Sequence, residues 1–356
     1  MHLKRLGFSE WFEEKLDTAL SNSYQIVRVM AVDKESYAIR GENYETRAEL
    51  TGKLVYSATS PLDFPTVGDW VYAQCFDENT FAIIHEVIPR KTILSRKVPG
   101  KKVEFQLVAA NVDTAFLVQS LDSNFNLRRL ERYLVMTLEA KIRPIVLLSK
   151  SDLLSPDEVN DKIQEIHKDI QDVPVYSFSS LSSSGIDAVT KLLSPGETFC
   201  LLGSSGVGKT TLINNLLGDE VYDTKTVRES DSRGRHSTTR RQLILLDNGA
   251  IMIDTPGMRE LGVLSAGSGI DETFHEFTEL SANCRFLDCS HTHEKDCAIL
   301  EAVQNEVISE KRYQNYIKMI KESEHHEKSY LDKRRDDKSF GKMIKTVKKT
   351  IKKNKR

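Results

Sequence analysis

The sequence has no run of about 20 apolar residues, the length a helix needs to cross a bilayer core, so a helical membrane span is excluded. The start, MHLKRLGFSEWFEEKL, lacks the apolar stretch of a secretion signal and carries acidic residues early. Cysteine is scarce, at five in 356 residues, which excludes a disulfide-dense secreted scaffold. There is also little net charge, −2 at pH 7, so composition as a whole selects no partner. A soluble, cytoplasmic, monomeric protein without a membrane partner is expected. The length exceeds one ordinary hydrophobic core and predicts two or three domains.

What is present is unevenly placed. Residues 1–22 read as one short helix, with Leu3, Leu6, Trp11 and Leu16 near helical spacing. YQIVRVMAV, SYAIRG, ETRAELTGKLVYSA, GDWVYAQCF and TFAIIHEVI are β-rich runs between turn residues, and they predict an OB-type β-barrel within residues 1–100. From 101 to 270 the texture is α/β. DTAFLVQS, RPIVLLSK, VPVYSFS, ETFCLLGSSG, RQLILLD and AIMIDTPG read as buried strands of a doubly wound sheet. Residues 271–330 turn helical around three cysteines, and 331–356 form a basic tail. The fold class expected is multi-domain: barrel, α/β nucleotide domain, helical metal domain, tail.

Gly203-Ser204-Ser205-Gly206-Val207-Gly208-Lys209-Thr210 fits the G-x-x-x-x-G-K-[ST] phosphate loop, with an apolar strand before it and a helix beginning Thr210-Thr211 after it. Glycines let backbone N–H groups curl around phosphates, and the helix N-terminus adds positive potential. Lys209 is expected to reach the β- and γ-phosphates, and the Thr210 hydroxyl to ligate Mg²⁺. About 50 residues on, Asp254-Thr255-Pro256-Gly257 ends another apolar strand. Asp254 would hold Mg²⁺ through water, and the Gly257 N–H would meet the γ-phosphate. Between them, Gly234–Thr239 suits a switch loop that offers Thr238 or Thr239 to the magnesium.

No guanine reader follows. A weakened one precedes: Ser149-Lys150-Ser151-Asp152, at the end of strand RPIVLLS. An aspartate accepts both N1–H and the N2 amino hydrogens of guanine, and adenine offers no such pair. A lysine stem can cover the base. Ser179 and Ser180, ending the next strand, can support it with backbone N–H. The order is therefore base reader, support loop, phosphate loop, switch, γ-phosphate sensor, which is that of a circularly permuted GTPase. GTP or GDP with Mg²⁺ is the expected ligand.

Cys284, Cys289 and Cys297 crowd into 14 residues as C-x₄-C-x-H-x₅-C, with His291 inside the pattern and His293 two residues on. Three thiolates and one imidazole make a closed, structural zinc site. The last 16 residues hold eight basic side chains and no acidic one. Phe340, Met343, Ile344, Val347 and Ile351 recur there at helical spacing. Nucleic acid is the expected target of this tail and an acidic membrane surface its rival.

The barrel, permuted motifs and cysteine cluster together resemble the small-ribosomal-subunit-dependent GTPase A family (RsgA, YjeQ or YloQ). The stretches carrying the resemblance include VGDWV (67–71), IPRKTILSR (88–96), RRLERYLV (128–135), GRHSTT (234–239) and DTPGMRE (254–260). The resemblance implies GTP hydrolysis, slow alone and faster on the small ribosomal subunit, in late maturation of that subunit with rRNA contact. It selects His291 over His293 as the fourth zinc ligand. It also points to His236 for placing the attacking water, because Met258 stands where many GTPases keep a glutamine. The family usually has Asn at position 149, and the shorter serine is expected to leave the base loop looser. A nucleotide-gated RNA-binding module with negligible turnover is the alternative reading.

Overall fold

The computed structural model describes residues 3–33, 36–97, 105–218, 241–255 and 267–325. They fall into two compact units, one within Met1–Arg96 and Gln106–Leu261, the other within Lys97–Phe105 and Gly262–Arg356.

In the first unit, β1 (Gln25–Val32), β2 (Tyr37–Arg40), β3 (Glu45–Leu50), β4 (Trp70–Phe76) and β5 (Phe81–Val87) close in the order 1-2-3-5-4-1. Only the β3–β5 pair is parallel. This is the five-stranded barrel that the sequence predicts. Its interior is Val27, Val29, Ile39, Ala48, Val71, Ala73, Ala82 and Ile84, where three alanines leave room for so few strands to close.

Two expectations for this region need correction. Residues 1–22 do not form one helix. They form a 3₁₀ turn (Leu3–Leu6), α1 (Glu10–Glu13) and α2 (Thr18–Ser23). Gly7 breaks the path at φ +84°, and the Asp17 carboxylate restarts it by accepting from the Ala19 and Leu20 N–H groups. The pieces belong to the barrel unit: Phe8 meets Trp70 edge-on at 4.8 Å, and Phe12 packs beside it. Likewise ETRAELTGKLVYSA is a strand only to Leu50. The Thr51 hydroxyl accepts from Leu54 N–H at 3.2 Å and caps α3 (Gly52–Ser57).

The α/β part holds β8 (Thr114–Ser120), β9 (Arg143–Ser149), β10 (Val175–Ser177), β11 (Thr198–Leu202), β12 (Gln242–Leu245) and β13 (Ile251–Asp254). Between it and the barrel, β6 (Ile93–Lys97) pairs with β7 (Phe105–Ala110). The spatial order is 10-9-8-11-13-12, parallel except for β12. Helices α4 (Leu127–Glu139) and α5 (Pro156–Asp169) cover one face, while α6 (Ile186–Lys191) and α7 (Lys209–Leu217) cover the other. The central strands are mainly apolar because both faces are covered. Ala115 and Leu117 point to one core, and Phe116 and Val118 to the other.

Chain order runs outward from β8 to β10, then returns to β11 beside β8. The strand order therefore reverses between β8 and β11, and the crevice beyond their carboxyl ends is where such sheets bind ligands. Barrel and sheet meet at Ala31–Gln242 and around the buried Arg28. Its guanidinium donates to Thr198 Oγ1 at 2.9 Å, to Gly68 O at 3.3 Å and to Leu6 O.

The second unit contains α8 (Gly267–Thr273), α9 (His275–Ser281), α10 (Ala298–Gln304) and α11 (310–325). Phe277 stacks on Tyr316 at 4.2 Å and Phe274 adjoins both, forming a small aromatic core.

Candidate nucleotide site and metal centre

The loop Gly203–Gly208 links β11 to α7 with Gly206 at φ +81° and Gly208 at φ +91°, values that an L side chain resists. A Cβ at Gly203 would lie 2.6 Å from Val118 O, so the loop leaves the sheet pressed against β8. The Lys209 ammonium donates to Gly203 O at 2.7 Å and Ser204 O at 2.8 Å. Burial pulls its pKa down to about 8, against the opposing pull of Asp254. Asp254, buried at the end of β13, is raised by that burial, with Lys209 resisting. Thr255 is fixed beside it by a bond to Leu201 O. Thr210 and Thr211 occupy the first turn of α7, half-buried, and Val207 is buried beneath the loop. Ser205 stays half-exposed.

The stretch Ser149–Asp152, expected from the sequence to read the base, lies at the same edge. The Ser149 hydroxyl donates to Val207 O at 2.6 Å, across to the phosphate loop. Short as it is, the serine side chain thus makes a direct bond between the end of β9 and the phosphate loop. A Cβ on Gly208 would sit 4.0 Å from Ser149 Oγ. Lys150 takes a left-handed conformation, φ +59°, and its ammonium lies 2.7 Å from Asp122 Oδ2. Ser151 N–H donates to Phe178 O at 3.2 Å. The Asp152 carboxylate accepts from the buried Ser179 hydroxyl, which itself accepts from Leu181 and Ser182 N–H, both at 3.1 Å. Ser179 therefore orients the aspartate as well as the loop. The Ser180 hydroxyl is buried and unpartnered.

The loops expected to read the base, support it and hold phosphate thus share one edge of the sheet, although Ser149 and Gly203 are 54 positions apart. Asp122 and Asn124 lie in the loop after β8, which fits no sequence motif. Its signal was a polar stretch, SLDSNFN, following an apolar strand of a parallel sheet. His236, Thr238, Thr239, Gly257 and the basic tail lie outside the described residues.

In the second unit the Cys284, Cys289, His291 and Cys297 donor atoms all lie within 4.8 Å of one another. Cys284 Sγ and Cys297 Sγ are 3.8 Å apart, and each is 3.6 Å from His291 Nδ1. Tetrahedral bonds of about 2.3 Å to sulfur space ligands by roughly 3.8 Å, so the set fits a zinc-sized ion. The Tyr313 hydroxyl donates to His291 O at 2.7 Å and steadies the ligand backbone. His293 is outside the cluster, its Nδ1 2.8 Å from Thr292 Oγ1.

Residues 87–264 match the family model described as RsgA GTPase. A chain from Listeria innocua, "Small ribosomal subunit biogenesis GTPase RsgA 1", is 42% identical over 92% of this chain and 90% of its own length. The Bacteroides thetaiotaomicron protein of the same name is 39% identical over 90% of both. The chain belongs to the RsgA GTPase family. It is accordingly a GTP hydrolase, with the barrel, permuted α/β domain and Cys₃His cluster described above. Among solved structures, YjeQ from Thermotoga maritima aligns at TM-score 0.60 and 26% identity, covering 84% of this chain and 98% of its own. YloQ, a circularly permuted GTPase, shares the fold at TM-score 0.59 and 22% identity, covering 85% of this chain and 96% of its own. A model of ABC transporters also matches, over residues 186–350, a span that includes the phosphate loop. Among the described residues no helix is long and apolar enough to cross a membrane.

Proposed function

We propose that this RsgA-family hydrolase acts in late maturation of the small ribosomal subunit, binding rRNA and turning over GTP faster on the subunit than alone. The observation that carries this reading is the pair of relatives about 40% identical over nine-tenths of the chain, both described as small ribosomal subunit biogenesis GTPases. The geometry supports the nucleotide half: an aspartate held for guanine and a phosphate loop lie at one sheet edge. Asp152 selects the base, Lys150 lays its stem across it, and Ser179 and Ser180 support it from the neighbouring loop. Residues 203–211 wrap the phosphates, with Gly257 at the γ-phosphate. Thr210, Asp254 and Thr238 or Thr239 would hold Mg²⁺, whose charge neutralises the β- and γ-phosphate oxygens. Lys209 exchanges its carbonyl partners for phosphate oxygens when nucleotide arrives. His236 places the water. Cys284, Cys289, His291 and Cys297 hold one structural zinc, a role suited to four protein ligands with no open position. The basic tail contributes rRNA phosphate contacts.

The test is phosphate release from GTP and from ATP, with and without purified small ribosomal subunits. GTP-selective release that rises with the subunit is expected. Release that the subunit leaves unchanged overturns the ribosomal part, and equal turnover of ATP overturns the base reader.

A further inference from the structure

The loop 121–126, between β8 and α4, has no part in the motifs above, yet it fastens to both halves of the nucleotide site. It stands where the strand order reverses, between the base-reading loop after β9 and the phosphate loop after β11. Leu121 N–H donates to Ser149 O at 2.9 Å. Asp122 Oδ1 accepts from the Ser120 hydroxyl at 2.7 Å and from Asn124 N–H at 2.9 Å, while Oδ2 faces the Lys150 ammonium at 2.7 Å. Burial opposes ionisation of Asp122, but these three donors outweigh it and hold its pKa at about 2. On the other side, Asn124 Nδ2 donates to Ser204 Oγ, in the phosphate loop, at 3.3 Å. The amide cannot turn over freely, because Arg129 donates to Asn124 Oδ1 at 3.0 Å and to its backbone carbonyl, and a guanidinium only donates. One short loop therefore grips Lys150 with one side chain and Ser204 with another two residues away.

We propose that this loop is a clasp setting the separation of the base-reading and phosphate loops, with Asp122 and Asn124 as positioning residues for guanine-nucleotide binding. Neither residue needs to touch the nucleotide. Asp122 acts through Lys150 on the base, and Asn124 acts through Ser204 on the phosphates. The two substitutions consequently have different signatures. Asp122→Asn keeps the shape but turns an amide N–H₂ toward the Lys150 ammonium, or flips and loses the Asn124 N–H bond. Asn124→Ala releases Ser204 and leaves the base loop held.

This inference rests on the nucleotide-site reading above, so the full-length chain is first compared on GTP, ATP and inosine triphosphate, which lacks the 2-amino group. Each variant is then examined for GDP dissociation constant, KM and kcat, and for the melting temperature of the nucleotide-free protein. Both variants are expected to bind GDP about tenfold more weakly and to raise KM, with kcat within about twofold. Asp122→Asn should also narrow the preference for GTP over inosine triphosphate, and Asn124→Ala should weaken both nucleotides equally. Wild-type affinities in both variants overturn the clasp. So does a fall in kcat and free-protein melting temperature without a change in KM, which marks a merely structural loop. A parent chain without preference for GTP over ATP instead overturns the underlying nucleotide reading, a result distinct from either.

Discussion

Ser149 has one hydroxyl proton and two carbonyls within reach, Val207 at 2.6 Å and Gln119 at 3.3 Å. The nearer one takes it, so a single bond joins the end of β9 to the phosphate loop. The family resemblance places an asparagine at this position, with two N–H donors for the same work. Serine suffices because the backbone of the loop comes to it. Ser149→Ala removes the donor and leaves a buried carbonyl without it, a loss of about 1 kcal/mol. GDP affinity is expected to fall about fivefold by isothermal titration. The preference for guanine should be retained, since Asp152 and Ser179 are untouched. Unaltered GDP affinity would mean that this bond does not hold the two loops together.

At the scale of elements, the junction of barrel and sheet depends on Gly68. Its φ is +90°, and a Cβ there would lie 2.2 Å from Ala110 O, in the turn ahead of β4. Its N–H donates to Val29 O at 2.9 Å and its carbonyl accepts from Asn111 Nδ2 at 3.1 Å, so the backbone is tied on both sides. Gly68→Ala combines a left-handed conformation with a steric overlap and should destabilise the unit by about 2–4 kcal/mol. Thermal denaturation is expected to show a clearly lower midpoint, and a curve coinciding with the parent would show that the turn yields. The same elements indicate what a reader of the sequence can see. All six strands of the α/β sheet were legible, because burial on both faces gives the central ones mainly apolar stretches such as AFLV in β8 and IVLL in β9. The barrel strands were legible from β-rich runs between turns, and the permutation from motif order. Elements that depend on single local bonds were not: the breaks at Gly7 and Asp17, and the Thr51 cap that turns the second half of a β-rich run into α3. Nor were Asp122 and Asn124, which fit no motif and acquire meaning only when β8 is seen between β9 and β11. The Ser149 bond was out of sight for a related reason, since side-chain length is legible in sequence and backbone approach is not.

At the scale of the whole molecule, the described residues of the second unit bury a modest core. Phe274, Phe277 and Tyr316 form an aromatic group, Ile270, Ile299, Ile308, Ile317 and Met319 are buried with it in the same unit, Arg312 bonds Thr273 O at 3.1 Å and Glu276, and the Cys₃His cluster gathers the loop ahead of α10. Small domains bury too little apolar surface to be stable by a wide margin, and a structural zinc site can supply on the order of 10 kcal/mol of folding free energy. The cluster is therefore expected to carry one zinc per chain, and this unit to lose its helices when the metal is removed. The nucleotide site draws on none of the cluster residues; its described groups run from Asp122 to Asp254 in the first unit. Chelation, or Cys297→Ser, should lower helical ellipticity and abolish a separate melting transition, while GDP affinity changes by no more than about twofold. Metal quantification, circular dichroism and GDP titration on the same sample check this together. Retained helicity in metal-free protein would show that the aromatic core is enough. GDP binding lost in step with zinc would show that the two units fold as one.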